Sequence, residues 1–152
     1  MRSKKQGIFF LGATLFFIGF ILFLSSQNGE ETAAVSVGIA GKLAEIIYKT
    51  PSESQIYGVH MIIRKSAHVV LFGILGILLS FTTHFLINGG FCLKNMINAA
   101  VLVFFSVFDE WHKLFVDGRH FDLGESALNI ISGVACALIA ALILSKIKKK
   151  LT

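Results

Sequence analysis

The sequence predicts an all-α polytopic membrane protein: a four-transmembrane-helix bundle with an additional interfacial amphipathic helix between helices 1 and 2. Three observations carry that expectation. Hydrophobic residues fill 55% of the 152 positions and charged ones only 15%, against roughly 45–50% and ~25% in soluble domains. The apolar residues come in blocks rather than in amphipathic periods. Between the blocks the chain is densely charged, most of all in DEWHKLFVDGRHFDLGESALN (109–129).

Each block approaches the ~17–25 residues that a helix needs to cross ~30 Å of hydrocarbon, where only a helix satisfies its backbone within one segment. The first spans 8–24 (IFFLGATLFFIGFILFL) and carries no charge. MRSKK ahead of it resembles a signal-peptide n-region, but LSSQNGEE behind it has no small-x-small cleavage site, so it reads as a retained helix. Next, Val35, Ile39, Leu43, Ile46 and Ile47 recur with helical spacing, with Lys42, Glu45 and Lys49 on the other side. That pattern predicts an interfacial helix over 33–49, lying on the outer leaflet or packed on the bundle. Pro51 cannot continue this helix, and Ser52 can cap the one that follows.

The second crossing is expected at 66–87, the turn Asn88-Gly89-Gly90 reverses the chain, and crossings three and four follow at 93–110 and 127–145. Gly73 and Gly76, with Gly12 and Gly19 in the first helix, read as close-approach points between helices. Cys92 and Cys136 lie in or beside apolar helices and form no disulfide framework. The whole of 1–152 reads as a single domain.

Charge sets the orientation. Arg2, Lys4 and Lys5 mark one end, and Lys146, Lys148, Lys149 and Lys150 the other. Four crossings put both ends on one side, which the positive-inside rule makes cytoplasmic. The 109–125 run, with five acids against two bases, then faces outward. The net charge of +5 is therefore a topological signal rather than a nucleic-acid footprint. The expected partners are membrane lipids, with no nucleic acid and no cofactor.

Three polar groups fall at the outward end: Ser25-Ser26-Gln27 after helix one; Arg64-Lys65-x-x-His68 entering helix two; and Asp109 and Glu110 closing helix three, with Glu125 and Asn129 opening helix four. His68 shares a helical face with Arg64 or Lys65, as His112 does with Asp109 and Lys113 with Glu110. Glu125, Asn129, Ser132 and Cys136 form a stripe descending into the bilayer. A charge at membrane depth costs roughly 2.5–3.5 kcal/mol even on insertion scales. The economical arrangement sets Asp109, Glu110 and Glu125 against Arg64, Lys65 and Arg119, with Arg64 or Lys65 paired to Asp109 or Glu110.

With these residues in view, ILFLSSQ, RKSAHVVLFGILG and DEWHKLFVDGR, followed by an acid and Asn129, resemble the VanZ-like family of bacterial membrane proteins, which is associated with teicoplanin resistance. The resemblance spans most of the chain, in order and at similar spacing. It implies candidate ligand-binding roles for Ser26, Gln27, Arg64, Lys65, His68, Asp109, Glu110, His112, Arg119, Glu125 and Asn129, with Gly118 as a further matching position. The chain departs from the family pattern at Lys113, where glutamine is usual, at Asp117 for proline, at Glu125 for aspartate, and at Phe72 for tyrosine. Lys113→Gln is accordingly expected to cost little.

Three functions fit these residues. The charges can simply cap helices and neutralise one another. They can bind a lipid head group, a lipid-linked cell-wall precursor or a glycopeptide antibiotic with a fatty tail, through Arg64, Lys65 and Arg119 as donors. Or Asp109, Glu110, His68 and His112 can serve as acid–base groups of a membrane enzyme. No nucleophile elbow, P-loop or zinc signature appears. Asp109-x-x-His112 lacks the second ligand pair of a di-metal bundle, so no metal is expected. Binding is the preferred expectation.

Overall fold

The computed structural model describes residues 4–27, 29–119 and 121–150; the side chains of 29–36 and 148–150 lie outside that description. The described residues form five helices: α1 Lys4–Ser25, α2 Gly29–Tyr48, α3 Glu53–Leu86, α4 Phe91–Lys113 and α5 Leu123–Lys150. Four of them, α1, α3, α4 and α5 (over Leu123–Ile147), are long and apolar enough to cross a membrane. The all-helical, four-crossing expectation stands.

The boundaries move outward from those the apolar blocks suggested. α3 begins at Glu53 rather than near 66, because Ser52 and Gln55 build a reciprocal capping box that starts the helix well before its apolar run. At 34 residues it is about 50 Å long, longer than the hydrocarbon core. Its first turns are covered by α2, whose Ala40 and Ala44 are fully buried against Val59, Ile56 and Ile63. The predicted stripe of α2 does not make this contact. Ile39, Leu43, Ile46 and Ile47 face outward, the face a helix at a bilayer surface sinks into lipid; the Val35 side chain lies outside the described residues. Alanines pack on α3 because they let two backbones approach closely.

α3 is the central element and touches each of the other four helices, while α4 also packs on α1 and α5. The apolar core is small: Ile18 and Ile21 of α1, Phe72, Leu75 and Leu79 of α3, Leu102 of α4 and Ala137 of α5. Most large apolar side chains instead point outward, Phe9, Phe16, Phe104 and Ile131 among them, as lipid-facing residues do. α4 shows the inversion most clearly. Its buried face is Lys94, Asn98, Leu102, Ser106, Asp109, Glu110 and Lys113, polar throughout except for Leu102.

The tightest crossing joins α3 and α5. A Cβ on Gly76 would lie 2.1 Å from the Gly133 carbonyl oxygen, and one on Gly73 3.2 Å from Cys136 Sγ. The reading of Gly73 and Gly76 as approach points is correct, whereas Gly12 and Gly19 have nothing within 4 Å and serve no crossing. Gly76→Ala should therefore lower stability by the upper end of the ~1–3 kcal/mol that overpacking costs, because backbone cannot yield as a side chain can. Gly12→Ala should be neutral or stabilising through helix propensity. Thermal unfolding of the two variants in detergent checks this, and equal midpoints would contradict the crossing.

Candidate functional site

At the end of the bundle opposite the chain termini, three helices bring charge together. Lys113, the last residue of α4, is fully buried. A long side chain on a helix leans toward the helix N-terminus, so the lysine reaches back down into the bundle rather than out of it. Its Nζ donates to Glu110 Oε1, donates to Glu125 Oε2 at 2.9 Å, and lies 3.6 Å from Asp109 Oδ2. One ammonium thus holds three carboxylates, each 2% exposed or less. It is a built-in cation at the position where such a cluster would otherwise demand one from solution.

Glu125 reaches this point from the first turn of α5, where its charge also favours the helix N-terminus. On its other side Arg64 Nε lies 3.2 Å from Oε1, and His68 Nε2 lies 3.8 Å from Oε2. Arg64 stands at the mouth, with 30% of its side chain exposed. Glu110 spends its second oxygen on the connecting loop, accepting from the Asp122 backbone N–H at 3.0 Å. Asp122 in turn caps α5, its Oδ1 accepting from the N–H groups of Gly124 at 2.7 Å and Glu125 at 3.3 Å. Deeper still, Ser106 Oγ bonds the Ser126 carbonyl at 3.0 Å and lies 3.1 Å from its hydroxyl, fastening α4 to α5.

This corrects the expected pairing. Arg64 pairs with Glu125, not with Asp109 or Glu110, and Lys65 is half-buried with no ion pair among the described residues. Lys113 wins the α4 carboxylates because it lies one turn away on the same helix and orders less chain than a partner from α3. The same burial and pairing argue against the expectation that Lys113→Gln costs little. Ser26 and Gln27 are exposed, and the Ser26 hydroxyl donates back to Phe23 O at 2.8 Å. They sit at this end of the bundle, but no hydrogen bond or ion pair among the described residues ties them to the charges.

Arg119 follows Gly118, which takes φ 72°, the left-handed conformation that glycine adopts without a Cβ penalty. The turn leaves Arg119 half-buried, with its guanidinium in no ion pair or hydrogen bond among the described residues. Burial, and then the like charge of Arg64, pull its pKa below the ordinary arginine value; Glu125, Asp109 and Glu110 act in the opposite sense. Asp109 is 1% exposed and Asn129 fully buried, yet both oxygens of the one and both amide atoms of the other lack a hydrogen-bond partner. His68 and His112 each keep an unpartnered Nδ1.

The sequence reading missed Ser106, Asp122, Ser126 and the role of Lys113. A signal for three of them was present. Ser106, Asp109, Glu110 and Lys113 fall at i, i+3, i+4 and i+7, a polar face on an otherwise lipophilic helix. Asp122 with Glu125 three residues later follows the pattern of a helix start.

Four apolar helices closed at one end around buried, mutually compensating charge define a polytopic integral membrane protein with a polar site inside the bundle. The chain belongs to the VanZ/LLP1 family, whose model matches residues 10–144. No curated protein and no solved structure matches it.

Proposed function

We propose that the charged end is an outward-facing binding site in a bacterial cell membrane, with both chain termini cytoplasmic. It takes the polar head of a lipid-attached molecule: a lipid head group, a lipid-linked cell-wall precursor or a lipoglycopeptide such as teicoplanin, to which the protein confers tolerance. The observation that carries this reading is that donors and acceptors without hydrogen bonds occur at the same end of the bundle. Arg119 and Lys65 offer positive charge without a partner, suited to a phosphate or carboxylate. Both amide atoms of Asn129 and both oxygens of Asp109 lack a hydrogen bond, although Asp109 lies 3.6 Å from the Lys113 ammonium; buried polar atoms normally have such a bond. A ligand bearing both an anion and hydroxyl or amine groups satisfies both sets. Glu110 and Glu125, both bonded to Lys113, fix the geometry without being consumed by it.

A second reading rests on Asp109, whose oxygens accept no hydrogen bond, with His68 and His112: an enzyme acting on such a head group, with the carboxylate or an imidazole as base. Asp109→Asn separates the two. In a binder it weakens ligand capture in the graded way other single charge changes do. In an enzyme it abolishes turnover while the ligand still copurifies. The measurement is native mass spectrometry of the protein isolated from its own membrane. Side is read in the same cells by labelling Asp117→Cys in a Cys92→Ser background with an impermeant maleimide. Labelling of intact cells is expected, and labelling only after permeabilisation would rule out the outward site.

A further inference from the structure

The polar face of α4 does not end at the charged cluster. Beyond Leu102, which is fully buried in the apolar core, it resumes with Asn98 and Lys94 at the end of the bundle that carries both termini. There a cavity of about 250 Å³ is bounded by Ser80, Thr83 and His84 of α3, the Gly89–Gly90 turn, Phe91, Lys94, Asn95 and Asn98 of α4, and Ala141, Leu144 and Ser145 of α5. The apolar layer around Leu102 separates it from the site described above.

We propose that this cavity is a second binding site, and that it takes a phosphate group. Asn98 carries the argument. It is 2% exposed, lines the cavity, and neither its amide nitrogen nor its amide oxygen has a hydrogen-bond partner. A buried amide left with neither donor nor acceptor used is costly unless something else completes it. What surrounds it selects the sign of the ligand. Lys94 is nine-tenths buried, and its ammonium bonds the His84 carbonyl at 3.2 Å, which puts a positive charge at the cavity wall. The N-cap of α4 is Gly90, which supplies no side-chain cap, and the first turn holds no acidic residue. Its N–H groups and positive helix end therefore remain available to an anion. No carboxylate lines the cavity among the described residues.

A phosphate monoester matches the whole set, because its P–OH can donate to the Asn98 carbonyl oxygen while its other oxygens accept from the amide, the ammonium and the helix N-terminus. The cavity is smaller than the ~300–1,000 Å³ of sites for drug-sized ligands, so it fits a head group and not a whole lipid. The phosphate belongs either to a lipid in the leaflet at this end or to a small soluble phosphate ester.

The test uses the full-length protein labelled with ¹⁵N-asparagine, with the Asn98 side-chain resonance assigned by its loss in Asn98→Leu. In one arm inorganic phosphate is titrated into the detergent-solubilised protein at constant ionic strength, with chloride as the control. In the other the protein sits in phosphatidylcholine nanodiscs with or without phosphatidic acid. A shift at Asn98 in the first arm identifies a soluble phosphate, and one confined to the second a lipid phosphate. Either supports the site, with affinity at least tenfold weaker in Lys94→Gln. No shift at Asn98 in either arm, a shift at Asn129 in its place, or unchanged phosphate affinity in Asn98→Leu would overturn it. If Asn98→Leu does not fold, the wild-type Asn98 and Asn129 resonances, assigned through Asn129→Leu, still decide the question.

Discussion

Replacing Lys113 by methionine should destabilise the protein by about 3–5 kcal/mol, the cost of removing one member of a buried ionic cluster. The methionine fills the same space, so lost packing contributes little and the effect isolates the charge. Three carboxylates would remain, each 2% exposed or less, with Arg64 bonded only to Glu125 and standing 30% exposed at the mouth. Glu110 and Glu125 would lose their ammonium bonds, and the α4–α5 loop, which Glu110 holds through the Asp122 N–H, would lose its anchor. Lys113→Gln should behave similarly, since an amide can donate but cannot neutralise. Combining Lys113→Met with Glu110→Gln should recover part of the loss, because it removes one uncompensated charge together with its partner. Thermal unfolding in detergent and the amount of folded protein in the membrane both read this. A double variant as unstable as the Lys113→Met single would mean that the charges do not act as a pair.

That expectation reverses the one drawn from the sequence, and the reason shows what a linear pattern can carry. The four crossings were legible because a lipid-spanning helix must be apolar along its length, a property of composition. The Ser52 cap was legible because it is decided within a few residues. Which cation meets which carboxylate depends on where side chains lean after three helices dock. The sequence set Lys113 beside Glu110 on one helical face; on α4 it also reaches Glu125 of α5. Likewise the apolar stripe of α2 showed an amphipathic helix but not its contact with α3, which is made by Ala40 and Ala44. In a membrane the apolar face need not be the buried one. Composition also hid the polar face of α4, since Asn98 and Ser106 are single residues within an apolar run, visible only when read every third or fourth position.

Arg119→Ala should lower the amount of ligand that copurifies by at least tenfold while leaving the unfolding midpoint almost unchanged. The two halves of this result are linked by one fact: the guanidinium contacts no carboxylate within the described structure. A half-buried arginine with no direct ion pair or hydrogen bond contributes little that its removal would undo, since repulsion from Arg64 opposes the longer-range attraction of Glu125, Asp109 and Glu110. What it supplies is five donors in a planar fork, held at the mouth by the left-handed turn at Gly118. Arg119→Lys keeps the charge but not the fork, so it should retain part of the binding, as a point charge does for a phosphate or carboxylate. Teicoplanin tolerance in cells should fall in the same order, from wild type to Arg119→Lys to Arg119→Ala, at constant protein level. Gly118→Ala should mimic the arginine loss in part, because a Cβ is strained at φ 72° and the turn would aim the next side chain elsewhere. If Arg119→Ala keeps both ligand and tolerance, the charges at this end only hold the helices together.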